Sequence, residues 1–464
     1  MPLGLIPGLP EHIHMTGIGG IGISAIALVL AGHGHHITGS DQQDSDLLAY
    51  LRGHGIVVHI GHDAANLGAA ELVVISSAIP ESNVEVQSAH QLGIPVVRRR
   101  ILLAQMMTGS QGIAVAGTHG KTTTAAMLAV LLERLGQKPT YIVGGIISEL
   151  GTNASAGEGQ AFVLEADEYD HAFQDLAPYL GIVTNIEMDH PDCYADLDAV
   201  CAAFGAFMQH VTRQGHLIAC LDNPQVRKLL GSETYQAQVH TYGLASDAEY
   251  RLQDVAGTPE GGVNWRIFKH GAEWLAPRLA LAGQHNALNA TAVLIAAEHL
   301  GLNLQDACRV LACFGGVARR FELKGEARGI VVIDDYAHHP TQIQETLAAA
   351  RQRYPQRRIW AMFQPHTYSR TQALWSAFTR CFGTADEVII SDIYQARTFE
   401  QPTISARDLA LAVVHPRVHW IGPLDEVAKY LVQNLTEGDL LITLGAGDGY
   451  MVGEQVLAQL RTCE

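Results

Sequence analysis

The chain of 464 residues is long enough for about three domains of roughly 150 residues each, and at 48% hydrophobic and 17% charged residues it can bury several cores. Its 30 basic residues against 47 acidic ones leave a net charge of −17, which disfavours general binding to nucleic acid or to anionic membranes. No apolar run reaches the roughly 18 residues of a spanning helix, and the N-terminus lacks a basic segment ahead of a long apolar stretch. The seven cysteines are scattered, without a C-x-x-C pair, so the expectation is a cytoplasmic protein with reduced thiols, no disulfide framework and no zinc site.

The first segment opens with an apolar strand that enters GIGGIG, then a helical run, then a second strand ending at Asp41. Further strands are expected at IVVHIG, LVVISSA and IPVVR. Strand and helix alternating at this spacing predict a parallel, helix-covered sheet. The second segment repeats that grammar from Gln111, through AFVLEADEYD and YLGIVTNIEMDH. From about Tyr235 to Pro277 polar and apolar residues alternate, broken by Gly, Pro and Asp, and predict a small antiparallel insertion; a helix follows from Gly283 to Leu300. The third segment, after GVARRFE, shows the same strand–turn–helix grammar in GIVVIDDYAHHPTQIQE, RIWAMFQPHTYSRT, ADEVIISDI and DLLITLGAGDG. Three α/β domains are expected, at 1–107, 108–314 and 315–464.

The turn AGTHGKTTT carries the strongest local chemistry. It departs from the strict phosphate-loop spacing, since Val115 stands where the pattern wants its first glycine. Strand, glycine turn, lysine, threonine and helix remain. Backbone N–H groups and the helix dipole would hold phosphate oxygens, Lys121 would reach the β/γ charge, and Thr122 would offer a hydroxyl to Mg2+. Downstream, Glu165, Asp167, Glu168 and Asp170 follow one apolar run, and Asn185, Glu187, Asp189 and His190 follow another. Ligands of open α/β sheets bind outside the carboxyl ends of the strands, so both clusters are placed to face the phosphate turn. Glu165 with His190 forms a plausible Mg2+ pair.

Gly17, Gly19, Gly20 and Gly22 after a strand, with Asp41 about twenty residues on, read literally as a dinucleotide fingerprint. The glycines report only a pyrophosphate-sized anion at a helix start, and a nucleoside diphosphate-sugar meets that requirement equally. Arg98-Arg99-Arg100 reads as well as a solvated helix start as it does as an anion site. Arg319-Arg320 suits an arginine reaching across a cleft to phosphates, and Arg370, just past a strand, suits a carboxylate. The remaining histidines, including His33, His35 and His36, are expected to cap or decorate surface elements, their spacing matching no metal motif.

Taken in order, GIGGIGIS, GSD, SSAI, GTHGKTTT, EADEYD, TNIEMDH, GQHNALNA, RRFE, DDYAHHPT, FQPH-x-Y-x-RT, DIY-x-AR and GAGD make the chain resemble the Mur ligases of peptidoglycan synthesis over nearly its whole length. GIGGIGIS, DDYAHHPT and the FQPH segment resemble the alanine-adding type. The resemblance implies a Rossmann-like N-terminal domain binding the UDP-sugar, a phosphate-loop central domain binding ATP and Mg2+, and a Rossmann-like C-terminal domain binding the amino acid. It places Gly19, Gly20, Ile21 and Gly22 at the diphosphate, with Asp41, His62, Ser76 and Ser77 nearby. It assigns ATP to Gly117, Thr118, His119, Gly120, Lys121, Thr122, Thr123, His285, Asn286, Asn289, Arg320 and Asp335. It assigns the metal to Thr122, Glu165 and His190, and the amino acid to Tyr336, His338, His366 and Arg370, with His338 a candidate base. The implied reaction joins L-alanine to the lactyl carboxylate of UDP-N-acetylmuramate through an acyl phosphate, in a monomer or homodimer.

Two departures bear on this. Thr367 stands where some relatives carry the first arginine of FQPHRYTRT, leaving Arg370 alone toward the amino-acid carboxylate. The stretch from Pro191 to His210 lacks the lysine that later Mur ligases carbamylate, as the alanine-adding type does. The alternatives are a recycling ligase adding a tripeptide to the same sugar, a nicotinamide-dependent oxidoreductase using the first glycine turn, and a non-catalytic nucleotide-binding protein.

Overall fold

The computed structural model describes residues 3–396 and 403–462. Arg397 of the DIY-x-AR motif lies outside the described residues. The chain divides into two compact units, one of Met1–Ile186, Cys201–Tyr250 and Ala292–Val310, the other of Glu187–Val200, Arg251–Thr291 and Leu311–Glu464. Among the described residues no helix is long and apolar enough to cross a membrane.

The first unit holds a five-stranded parallel sheet in the order Val57–Ile60, His36–Asp41, His12–Thr16, Leu72–Ile75, Val96–Arg98. All five are the strands expected from sequence. Strand order reverses beside His12–Thr16, which puts the glycine turn at the switch point where open α/β sheets bind ligands. The helix Ile21–Gly32 after that turn is apolar nearly all round, and seven of its residues are buried. Such a helix needs cover on more than one side, and Gly32 lies close enough to Ala156, beyond the Thr152–Ser155 strand, that a Cβ there would sit 2.6 Å from the alanine's.

The same unit contains parallel strands in the order Gln238–Gly243, His216–Cys220, Leu180–Val183, Gln111–Ala116, Ala161–Glu165 and Thr140–Ile147. Thr152–Ser155 closes that edge antiparallel. The Gln111–Ala116 strand that leads into the phosphate turn therefore lies between the two strands that end in the acidic segments. Gln238–Gly243 corrects the expected insertion: it pairs in parallel with His216–Cys220, so the antiparallel part starts later than Tyr235. Polar and apolar residues alternate in QVHTYG, and alternation by itself does not reveal whether a strand pairs in parallel or antiparallel.

In the second unit Val263–Lys269 pairs antiparallel with Ala272–Leu275 and with Arg278–Leu279, as expected of the insertion. A six-stranded sheet runs Glu322–Ala327, Ile330–Asp335, Asp439–Leu444, Arg358–Phe363, Glu387–Ile390, Val418–Trp420. Its first strand is antiparallel and the others parallel. That first strand was not expected. Arg328 (φ 50°) and Gly329 (φ 71°) join it to Ile330–Asp335 as a two-residue turn with both φ positive, the hairpin turn matched to strand twist. Arginine at the first turn position hides the signal that Asn or Asp would display. Apolar clusters around Ile333 and Phe363 on one side and Val332 and Met362 on the other cover this sheet on both faces.

Candidate active site

The phosphate turn is built on two glycines in backbone conformations that a side chain would strain. Gly117 has φ 143°, and a Cβ there would lie 1.9 Å from Thr184 Oγ1. Gly120, at φ 82°, is the N-cap of the helix Lys121–Arg134 and supplies no side-chain cap, so the first N–H groups of that helix are presented to the turn. The neighbouring strand end holds the turn in place: Thr184 Oγ1 donates to His119 O at 2.6 Å, and Asn185 Oδ1 accepts from His119 N at 2.8 Å.

Lys121 folds back across its own turn. Its Nζ donates to Gly117 O at 2.6 Å and to both oxygens of Glu168 at 2.7 and 3.0 Å. Burial opposes the lysine's charge, yet Glu168, Asp167 and Glu165 outweigh it and hold the pKa above 10.5. Thr122 Oγ1 donates to Glu165 Oε1 at 2.9 Å, and the other Glu165 oxygen accepts from Gly144 N. Hydroxyl and carboxylate oxygens converging at a phosphate turn are the hard donors Mg2+ takes. Thr118 and Thr123 are buried in the same turn.

The glycine turn of the first sheet is shaped by Asp41, whose Oδ2 accepts from Gly19 N at 2.9 Å. Gly17 and Ile18 N both donate to Ser40 O. Ser76 closes on the turn, since a Cβ at Gly17 would sit 2.8 Å from its Oγ. A Cβ at Gly22 would sit 2.1 Å from Arg99 Nη1, so this guanidinium lies directly against the helix start that the glycines open. Arg99 heads the helix Arg99–Met107 and reaches within 4.0 Å of Asp167. The helix start expected at Arg98-Arg99-Arg100 is there: Arg98 is exposed beside Glu81, while Arg100 meets Asp175 at 2.9 Å. Ser77 Oγ donates to Asp170 Oδ2 at 2.7 Å. Arg99 and Ser77 thus tie the first glycine turn to the EADEYD loop beside Lys121.

Beneath this turn lies a buried acid that sequence reasoning passed over. Glu85 Oε2 accepts from Ser40 Oγ at 2.6 Å, Thr16 Oγ1 at 2.8 Å and His14 Nε2 at 3.3 Å, and Oε1 accepts from Asn66 Nδ2 at 2.8 Å. Burial pushes its pKa up, but these donors prevail and bring it down to about 2. Because Ser40 gives its proton to Glu85, His62 Nδ1 donates to Ser40 Oγ at 2.9 Å, which fixes the His62 ring. Two histidines expected on the surface are buried: His14 in this network, and His35, which donates to Pro10 O and accepts from Ile6 N.

In the second unit Asp189 is a buried hub. Its Oδ1 accepts from Arg370 Nε at 2.7 Å and from His190 N at 2.7 Å, and His338 Nε2 lies 4.0 Å from Oδ2. Burial would raise the Asp189 pKa, but Arg370, His190 and His338 hold it well below 3.8. His190 itself has φ 53°. His338 Nδ1 donates to Tyr336 O at 2.9 Å, leaving Nε2 with the lone pair. Burial, aided by Arg370, holds the His338 pKa well below 6.5, so the ring is neutral.

Arg370 Nη1 donates to His366 Nδ1 at 3.2 Å, and His366 stacks on Tyr394 with centroids 5.6 Å apart. Thr367, at φ 64°, caps the short helix that carries Arg370. The Arg320 guanidinium lies 5.0 Å over the Tyr336 ring, and Asp335 accepts from Phe321 N and Ala337 N, shaping the turn between them. His285, Asn286 and Asn289 occupy the first turns of the helix Gln284–His299, where Asn286 Nδ2 donates to Ala282 O at 2.7 Å.

Three family descriptions match the chain in succession: Mur ligase family, catalytic domain, over residues 12–111; Mur ligase middle domain over 115–297; and Mur ligase, glutamate ligase domain over 319–447. The chain is 43% identical over 457 residues to the UDP-N-acetylmuramate–L-alanine ligase of Solibacter usitatus, covering 98% of this chain and 96% of that one. It is 42% identical over 453 residues to that of Rubrobacter xylanophilus, covering 97% and 100%. Among solved structures, the UDP-N-acetylmuramate-alanine ligase of Thermotoga maritima superposes with a TM-score of 0.81 at 28% identity, over 98% of this chain and 100% of that one.

Proposed function

The chain belongs to the Mur ligase family and has its three-domain α/β fold, and on that premise we propose that it joins L-alanine to the lactyl carboxylate of UDP-N-acetylmuramate at the expense of ATP, in peptidoglycan precursor synthesis. Relatives carrying that activity in their names align over 97% and 98% of the chain. The observation that carries the reading is the Arg99 bridge: one guanidinium lies against the glycine turn at Gly22 and faces Asp167 of the loop that holds Lys121. A diphosphate-sugar on the first turn and a triphosphate on the second would have their reacting ends near one another.

Amide formation from a free carboxylate is uphill in water, so the lactyl carboxylate first attacks the γ-phosphate, giving an acyl phosphate and ADP. The amine of L-alanine then attacks the acyl carbon, and phosphate leaves. Lys121 and the N-terminus of its helix offset the repulsion between the two anions of the first step. For this Lys121 must exchange Glu168 for phosphate oxygens, a move of its flexible stem. Thr122, Glu165 and His190 are the residues that would hold Mg2+, and the cation when bound would neutralise phosphate charge. Gly19, Gly20, Ile21 and Gly22 receive the UDP diphosphate, with Ser76, Ser77 and His62 around it. His285, Asn286 and Asn289 take the adenine side, with Arg320 toward the phosphates. Arg370, bonded to His366, takes the amino-acid carboxylate, with Tyr336 assigned to the same substrate. His338 Nε2 is the acceptor for the proton shed by the attacking nitrogen, which becomes far more acidic once it has bonded to carbon.

Phosphate release measured with ATP, Mg2+ and UDP-N-acetylmuramate across a panel of amino acids tests the reading. Release dependent on L-alanine supports it; release with the L-alanyl tripeptide and not with L-alanine replaces it with the recycling reaction.

A further inference from the structure

Away from the phosphate turn, the first unit gathers three histidines that no part of the ligase reaction uses. His216 opens one strand, His240 lies on the neighbouring strand, and His299 ends the helix Gln284–His299. The register pairs His216 with Gln238 and Ile218 with His240, and residues two apart along a strand share a face, so His216 and His240 project from the same side. One nitrogen from each of the three rings lies within 4.8 Å of the others.

We propose that His216, His240 and His299 form a binding site for a borderline-soft divalent transition ion of the zinc class, separate from the catalytic Mg2+. Neutral imidazole is a preferred ligand of such ions and a poor one for Mg2+. His216 Nδ1 and His240 Nε2 are 3.2 Å apart. Two nitrogens on a tetrahedral ion at ~2.0–2.1 Å are about 3.3–3.4 Å apart, so this edge is already set. His240 Nδ1 donates to Glu249 Oε2 at 3.1 Å, the carboxylate–histidine pairing that orients metal-binding rings and adds negative charge nearby. That bond leaves the lone pair on His240 Nε2, so His216 Nδ1–H donates to it. The ion takes the place of that proton, which moves to Nε2 of His216 as the ring changes tautomer.

His299 stacks on both partners, with centroids 4.1 Å from His216 and 4.0 Å from His240, and closes onto the ion by a turn of its side chain. His240 retains 13% of its side-chain exposure, enough for the ion and a fourth, water ligand to enter. The site lies toward the starts of the parallel strands, whereas the phosphate turn follows a strand end. An ion here would pin the end of the helix to the sheet.

The test uses untagged, full-length protein stripped with chelator and titrated with Co2+ in excess Mg2+. The expected result is one equivalent bound with an intense tetrahedral-type d–d absorption, displaced by Zn2+. His240→Ala and His299→Ala, on different elements, should each weaken binding at least tenfold. Mg2+-dependent ligase activity of each variant reports that it is folded. A weak octahedral-type spectrum on the unmutated chain, or an affinity that neither substitution changes, overturns the proposal.

Discussion

Lys121 and Glu168 form a buried, bidentate ion pair, the ammonium 2.7 and 3.0 Å from the two carboxylate oxygens. The pair holds the lysine over its turn, and phosphate must compete with Glu168 for it. Lys121→Ala should lower phosphate release at least roughly 100-fold while UDP-sugar binding persists. It should also destabilise the fold by about 3 kcal/mol, since it strands a buried carboxylate. Adding Glu168→Ala should recover much of that stability and none of the activity. Denaturation and turnover of the three variants check this; unchanged turnover in Lys121→Ala would defeat the assignment.

Arg99 offers a selective handle on the sugar site. Gly22→Ala would place a methyl group 2.1 Å from Arg99 Nη1 and push the guanidinium off the turn. The KM for the UDP-sugar should rise roughly tenfold, with the KM for ATP little changed. Equal rises for both substrates in steady-state kinetics would remove Arg99 from the diphosphate site.

Glu85 should leave a signature in stability against pH. Its folded pKa of about 2 lies below its ordinary 4.5, so its contribution is full above 4.5 and is lost as pH falls toward 2. The difference corresponds to on the order of 3 kcal/mol at neutral pH. Glu85→Gln should therefore be destabilised at neutrality, and the gap to the parent should narrow in acid. Urea midpoints at about pH 7 and pH 3 measure it; a gap independent of pH would mean that the buried group is not an ionised carboxylate.

Arg370 serves two partners, and its variants should separate them. Arg370→Ala leaves Asp189 buried without its main cation and should cost several kcal/mol of stability. Arg370→Lys keeps a charge there but loses the planar fork, so stability should largely return while the KM for the amino acid rises roughly tenfold. A larger effect on ATP than on the amino acid would displace Arg370 from its proposed role.

His338, neutral because burial and Arg370 depress its pKa, should give no loss of rate centred at 6.5 as pH falls. His338→Ala should lower kcat by roughly 100-fold with KM values largely kept. An acid limb at 6.5 that disappears in this variant would show that the ring titrates in the working enzyme and that its burial is broken by substrate.

Most of the fold was legible in the chain because its signals are local. Alternating strands and helices, glycines at positive φ and a lysine after a glycine turn all act within a few residues. The Gly17–Gly22 and Gly117–Thr122 turns were found for that reason. What sequence could not show is which distant charges meet. Glu85 reads as one more acid in a helix's first turn, and only folding brings Thr16, Ser40 and Asn66 around it. Asp189 looked like one carboxylate in a loop of several until Arg370, 181 positions away, closed on it. The histidines at 216, 240 and 299 share no motif spacing, and parallel strand register with a helix end decides their convergence. Local backbone preferences are written residue by residue, whereas the burial and pairing of charge depend on long-range packing that brings residues far apart in sequence together.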